Sequence, residues 1–208
     1  MDFDALLKEA SRYESRLRAH RRALHHIPEL GYEEHETHAY LMEHLRALAP
    51  DDLKTFARTG IRAVFRGDGT GRVIAFRSDI DALPIQEATG RDYASCHSGK
   101  MHACGHDMHA AVLFGVLQQL AAEPDFRGTL FGLFQPGEEC NPGGASLVLA
   151  EKPFEGYDVR AVVGEHVEPQ LEVGTLGFRA GKYMAASDEL RFRVRGTGGH
   201  GAMRKQLK

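Results

Sequence analysis

The run GTLFGLFQPGEEC, Gly128 to Cys140, sets an unbroken apolar segment directly against a proline, a glycine and two adjacent carboxylates. Gly128 to Gln135 does not alternate apolar with polar. It therefore reads as a central strand covered on both faces, as a parallel or mixed sheet requires. On its N-terminal side, Cys104 to about Ala122 turns helical, through Ala111, Val112, Val116 and Leu120. On its C-terminal side, GGASLVLAE reads as a short helix and VRAVVGEHV as another buried strand. Further upstream, RVIAFRSD is a short buried strand and LKTFARTGIRAVFR, residues 53 to 66, is one strand or two broken at Gly60. The GDGTG between them marks a tight turn, so the pair is expected to form a hairpin. Phe3 to about His26 reads as one long amphipathic helix ended by Pro28, and Glu34 to Leu48 as a second. Strands alternating with helices predict an α/β fold with a mixed sheet flanked by helices. After about Thr175 the texture shifts. ELRFRVRG, Glu189 to Gly196, alternates as a half-exposed strand does. The expected division is residues 1–175 as one domain and 176–208 as the beginning of a smaller one.

Composition narrows the function. The chain has 208 residues, a formal net charge of -3, and 42% hydrophobic and 26% charged residues. That suits an ordinary globular protein and gives no reason to expect nucleic acid or an anionic membrane as partner. No apolar run approaches the roughly 20 residues of a membrane helix, and the charged N-terminus lacks a signal peptide's apolar core. Three cysteines, Cys96, Cys104 and Cys140, are too few and too uneven for a disulfide framework. A reducing, cytoplasmic setting is expected. The 12 histidines are many for this length, and they cluster.

Metal-capable residues recur where predicted strands end or a helix begins: RSDIDALP (77–84), MHACGHDMH (101–109), FQPGEEC (134–140) and VGEHVEP (163–169). Strand ends along one edge of an α/β sheet are where sites are built. Cys104 and His106 are two apart, so in a turn they point the same way and can serve one metal or two adjacent ones. A buried, inert cysteine beside surface histidines is the bland alternative. Glu138 and Glu139 form either a solvated loop pair or a divided pair, one holding metal and one moving protons. His166 alone reads as an ordinary core histidine, and Asp79 and Asp81 as turn formers before Pro84. Taken together, Cys, His, Glu and His at strand ends make a mixed S, N and O donor set for a divalent transition metal, zinc first. A nearby aspartate would orient a ligating imidazole. Cys104, between histidines at a helix start, is expected to have a lowered thiol pKa.

HPELGYEEHET, RSDIDALPIQE, MHACGHDMHAA, FQPGEE with its following GGA, and GTGGHGAM closely resemble the amidohydrolase branch of the aminoacylase-type metallopeptidases. That branch includes hippurate hydrolases, N-acetyl-diaminopimelate deacetylases and indole-acetyl-amino-acid hydrolases. The resemblance runs from His26 to Met203. It implies an α/β catalytic domain with an inserted α+β lid. It also implies two divalent metal ions, zinc or alternatively manganese, cobalt or nickel, and cleavage of the amide bond of a small N-acyl amino acid. It makes Cys104, His106, Glu139 and His166 metal ligands, Glu138 the general acid/base, and Asp79 the orienting carboxylate. His200 becomes a lid histidine that stabilises the oxyanion in a partner subunit's site, with homodimerisation through the lid. Met108, Gly137 and Ser78 stand where Gly, Ala and Ala are more usual. After GGHGAM the sequence reads RKQLK instead of Pro-His and the remaining lid, and the family's last ligand histidine lies beyond that point. A truncated or frame-shifted member is therefore expected, catalytically silent or nearly so. Two readings compete with the hydrolase: a non-catalytic relic that binds metal or an acyl-amino acid, and a structural zinc protein.

Overall fold

The computed structural model describes residues 3–123, 125–185, 188 and 190–196. It divides into two units, Met1–Val167 and Glu168–Lys208.

The first unit is built on five strands: β1 (Asp52–Phe56), β2 (Gly60–Arg66), β3 (Val73–Asp79), β4 (Thr129–Gln135) and β5 (Val159–Gly164). Their order in the sheet is β1-β2-β4-β3-β5. β1 and β2 pair antiparallel, as do β2 and β4, whereas β3 runs parallel to both β4 and β5. The sheet is thus mixed, and TLFGLFQ lies at its centre with neighbours on both edges. Alternate residues of β4 serve different cores. Leu130 and Phe134 join Ile61, Ala63 and Phe65 of β2 beneath the helices α2 (Glu14–His26), α3 (His35–Ala47) and α4 (His106–Ala122). Phe131 and Leu133 join Val64 and Ala75 on the other face, with Phe154 and Tyr157 against them. A strand with two covered faces has no polar side to show, which explains its unbroken apolar run.

The expected hairpin of residues 53–66 with RVIAFRSD does not form. The hairpin is β1–β2, and β4 lies between β2 and β3. The cause is β4 itself: apolar on both faces, it takes the covered central place, and β2 and β3 become its two neighbours. The single N-terminal helix is also corrected. It is two helices, α1 (Phe3–Ser11) and α2. Ser11 Oγ donates to the Leu7 carbonyl at 2.7 Å, and the Arg12 and Tyr13 N–H groups reach back only three residues, to Glu9 and Ala10, at 3.0 Å. Such back-bonding tightens the turn and lets the axis change before α2 begins. β5, expected to be buried, is exposed from Arg160 to Gly164; it is an edge strand, paired only with β3 among the described residues. The predicted strand over 189–196 is not seen either. The described residues 190–196 join no ladder, and Leu190, Phe192 and Val194 are exposed.

Because β3, β4 and β5 are parallel, Asp79, Gln135 and Gly164 end on one edge of the sheet. The antiparallel β2 begins there, at Gly60. α4 connects β3 to β4, and its N-terminus is the residue pair Gly105–His106. The three strand-end loops and this helix start therefore face a common edge.

A histidine at the helix interface gives the fold a testable acid limb. His20 on α2 packs against Phe114 (ring centroids 4.3 Å apart) and edge-on against His44 (4.8 Å), and its Nδ1 lies 2.7 Å from the Tyr40 hydroxyl. Burial, then the neighbouring His44 and Arg16 charges, lower its pKa from 6.5 to about 4. Below pH 6.5 the unfolded chain takes up a proton that folded His20 refuses. The contribution of His20 to stability should therefore fall between pH 6.5 and about 4 and level off below. Thermal unfolding of His20→Gln across that window should fall less steeply than that of the unaltered protein; equal slopes would exclude His20 as the cause.

Candidate metal centre

The site starts at a left-handed glycine. Gly105 has φ 89°, and a Cβ there would stand 2.5 Å from Val167 Cγ2, so only glycine turns the chain this tightly between Cys104 and His106. Asp107 then anchors the new helix to α2. Its Oδ2 accepts from His25 Nδ1 at 2.8 Å and forms an ion pair with Arg21, whose Nε lies 2.8 Å away.

His106 is wholly buried, and its Nδ1 lies 2.9 Å from the Asp81 carbonyl oxygen and 3.3 Å from Asp81 Oδ1. A carbonyl has no hydrogen to give, so the proton sits on Nδ1 and the lone pair on Nε2. That Nε2 is buried and has no hydrogen-bond partner. His166 is arranged likewise: its Nδ1 donates to the Val167 carbonyl at 2.8 Å, and its Nε2 stands 3.3 Å from Cys104 Sγ. An unpartnered buried nitrogen is costly in a protein interior unless something is meant to meet it. Sulfur, two imidazole lone pairs and carboxylates fit a divalent transition metal.

Three overlapping groups place one ligand atom per residue, all within 4.8 Å of one another: Cys104 with His106 and His166, His106 with Glu138 and Glu139, and Asp79 with His106 and His109. The structure therefore brings together Cys104, His106, Glu138, Glu139, His166 and Asp79. His200 lies outside the described residues.

The two aspartates divide the work. Asp79, at the end of β3, forms an ion pair with Arg77. Burial raises its pKa to about 6, with Arg77 and His106 opposing and Glu138 and Asp81 assisting. The carboxylate that touches the His106 imidazole is Asp81, whose Oδ2 also accepts the Glu139 N–H at 2.9 Å. Burial alone would push Asp81 up, but the bonds from His106 and from the Glu139 and Glu138 N–H groups hold it below the usual carboxylate range. The resemblance implies Asp79 for this role, but it is Asp81 that meets the His106 ring; local pattern does not separate them, since both flank the same strand end. His109 was also overlooked. It lies one turn beyond His106 on α4, three residues on, a spacing that places both on one helix face. Its Nε2 accepts the Val167 N–H at 3.0 Å, and burial, with His166 and His106, lowers its pKa to about 3.

The expectation of a lowered Cys104 pKa is overturned. Burial comes first, then the hydrogen bond and charge of Glu139 and the charges of Glu138 and Asp79, and together they push the thiol to about 12. A cluster of carboxylates favours a cation and disfavours a second anion. All three cysteines are free.

The chain belongs to peptidase family M20/M25/M40, whose pattern matches residues 75–203. It is 44% identical over 187 residues to an N-acetyldiaminopimelate deacetylase of Streptococcus gordonii, covering 88% of this chain and 48% of that one. It is 43% identical over 194 residues to an N-acetyl-L-cysteine deacetylase of Bacillus subtilis, covering 93% of this chain and 46% of that one. A Bacillus subtilis crystal structure described as a dinuclear metal binding peptidase of the M20 family superposes with a TM-score of 0.76 at 40% identity, over 82% of this chain and 48% of that chain. The chain thus spans about half the length of the curated relatives it matches.

If Cys104 ligates as a thiolate, metal must displace its proton. Calorimetric zinc titration in buffers of different ionisation enthalpy should show release of about one proton or more per ion, and less in Cys104→Ala. Equal proton release from the two proteins would remove Cys104 from the ligand set.

Proposed function

We propose that this protein is a divalent-metal-dependent amidohydrolase that cleaves the amide bond of small N-acyl amino acids. The observation that carries this reading is the convergence of Cys104 Sγ, His106 Nε2 and His166 Nε2 beside the adjacent Glu138 and Glu139, on the edge where parallel strands end. The relatives named as deacetylases favour acetyl as the acyl group. The mixed S, N and O donors favour zinc, with manganese, cobalt or nickel as substitutes. A dinuclear centre is favoured by the similar Bacillus subtilis structure, a homodimer through a lid by the family resemblance, and a reducing cytoplasmic setting by the free cysteines. No helix among the described residues is long and apolar enough to cross a membrane.

Cys104, His106, His166 and Glu139 would hold metal. When bound, a divalent cation lowers the pKa of water toward about 7 and polarises a carbonyl oxygen. The chain's own groups do the rest. Asp81 fixes the His106 ring and the Glu139 backbone together. Glu138 takes a proton from the attacking water as its oxygen bonds to the acyl carbon. It then gives that proton to the amine nitrogen as the C–N bond breaks, leaving a carboxylic acid and a free amino acid.

One observation favours a second reading, metal binding without turnover. Among the described residues, all three candidate ligand groups share His106, whose Nδ1 is already engaged, so its single free nitrogen can serve only one ion. Assay of the 208-residue chain with zinc or manganese on a panel of N-acetyl and N-benzoyl amino acids separates the two. The hydrolase reading expects turnover that falls ~10²–10⁴-fold in Glu138→Gln with metal content unchanged. It expects loss of metal in Glu139→Gln. Metal uptake without hydrolysis would establish the second reading instead.

A further inference from the structure

Glu138 and Glu139 sit in a stretch with no helix or strand of its own, between the end of β4 at Gln135 and the start of α5 (Gly144–Ala150). Its shape is imposed from outside, by the residues joining α2 to α3. Glu34 Oε1 accepts the Gly137 N–H at 2.8 Å, while Oε2 accepts from Thr59 Oγ1 at 2.5 Å. At the other end of the stretch the Tyr32 hydroxyl donates to the Pro142 carbonyl. Between these points the backbones nearly touch: a Cβ on Gly31 would stand 2.6 Å from Cys140 Sγ and 2.9 Å from Gly137 Cα. The metal-facing carboxylates are thus bracketed by restraints at Gly137, Cys140 and Pro142.

A helix-capping role does not account for Glu34. It occupies the N-cap position of α3, yet its side chain caps nothing there. The cap comes from Glu29, whose Oε2 accepts the Thr37 N–H at 2.9 Å. Glu34 is instead fully buried, with its carboxylate turned to the neighbouring loop. Burying a carboxylate is costly unless donors meet it, and here one donor is the Thr59 hydroxyl and the other is the Gly137 N–H of the loop carrying the reactive pair. Tyr32 has φ 67° without being glycine, and Gly137 has φ 59°, with the Tyr32 ring 2.6 Å from where its Cβ would be. Backbone held in the left-handed region by surrounding contacts is characteristic of a geometry fixed for function.

We propose that Glu34 is a positioning residue, whose buried carboxylate holds Glu138 and Glu139 against His106 through the Gly137 N–H, with Tyr32 securing the far end of the same loop. This rests on the reading of Glu139 as a metal ligand and Glu138 as the proton carrier.

The test titrates cobalt(II) alone into the unaltered chain and into Glu34→Ala, Glu34→Gln, Tyr32→Phe and Glu29→Gln, following visible absorption and thermal unfolding. Glu34→Ala should weaken cobalt binding roughly 10–100-fold and alter the spectrum, as loss of a group supporting a ligand does. Glu34→Gln, which can still accept from Gly137, should recover most of the affinity. Glu29→Gln should lose stability yet keep affinity and spectrum. Where turnover is measurable, Glu34→Ala should lower kcat on the order of 100-fold with KM little changed. Unaltered cobalt affinity and spectrum in Glu34→Ala would overturn the proposal, as would an equal loss in Glu29→Gln. If Glu34→Ala fails to fold, Tyr32→Phe decides: an altered spectrum supports the proposal and an unaltered one overturns it. Should the unaltered protein bind cobalt but cleave no N-acyl amino acid, the hydrolase reading falls while the affinity comparison still judges Glu34. No cobalt uptake at all would overturn both.

Discussion

One hydrogen bond, from His106 Nδ1 to the Asp81 carbonyl at 2.9 Å, determines what the rest of the site can be. It commits the imidazole to a single tautomer and leaves Nε2 as a buried, unpartnered lone pair. Asp81 can make that bond only because β3 ends at Asp79 and the chain turns across the top of the sheet. Its carboxylate meanwhile receives the Glu139 N–H, so the strand-end loops of β3 and β4 and the first residue of α4 are tied at one point. The order β2-β4-β3-β5 is what brings those three elements together.

The electrostatics run in one direction. Carboxylates of Asp79, Asp81, Glu138 and Glu139 surround a thiol pushed to about 12, and burial lowers the pKa of the neighbouring His109 to about 3. His106 is the exception, since Asp81 and Asp79 outweigh its burial and raise its pKa. Without a cation Cys104 keeps its thiol proton. A divalent ion held there would take the place of that proton, which links metal uptake to deprotonation. The Arg77 and Arg21 ion pairs neutralise carboxylates at the edges of the cluster but do not enter it.

Much of this was legible in the sequence because it depends on short-range pattern. The two-sided apolar run of β4, the helix after Cys104, and the grouping of Cys104, His106, Glu138, Glu139 and His166 at strand ends all follow from local spacing. What was not legible depends on long-range contacts. The neighbour of β2 is β4, sixty-odd residues away in sequence, so proximity along the chain wrongly suggested a hairpin with β3. The exposure of β5 depends on what covers its faces, which its run of valines does not reveal. The break in the N-terminal helix turned on one Ser11 side-chain bond within an otherwise regular apolar pattern. Asp81 looked like a turn former until its partners 25 and 58 residues on were in view, and Glu34 is indistinguishable from a surface glutamate until Gly137 is seen above it.

The central claim is that Cys104 and the two preset imidazoles meet on one metal ion. X-ray absorption at the zinc edge of the zinc-loaded protein measures this directly. The account predicts a sulfur scatterer at about 2.3 Å together with imidazole nitrogens at about 2.0–2.1 Å. It also predicts loss of the sulfur shell in Cys104→Ala. A zinc environment of oxygen and nitrogen alone, identical in the two proteins, would contradict it.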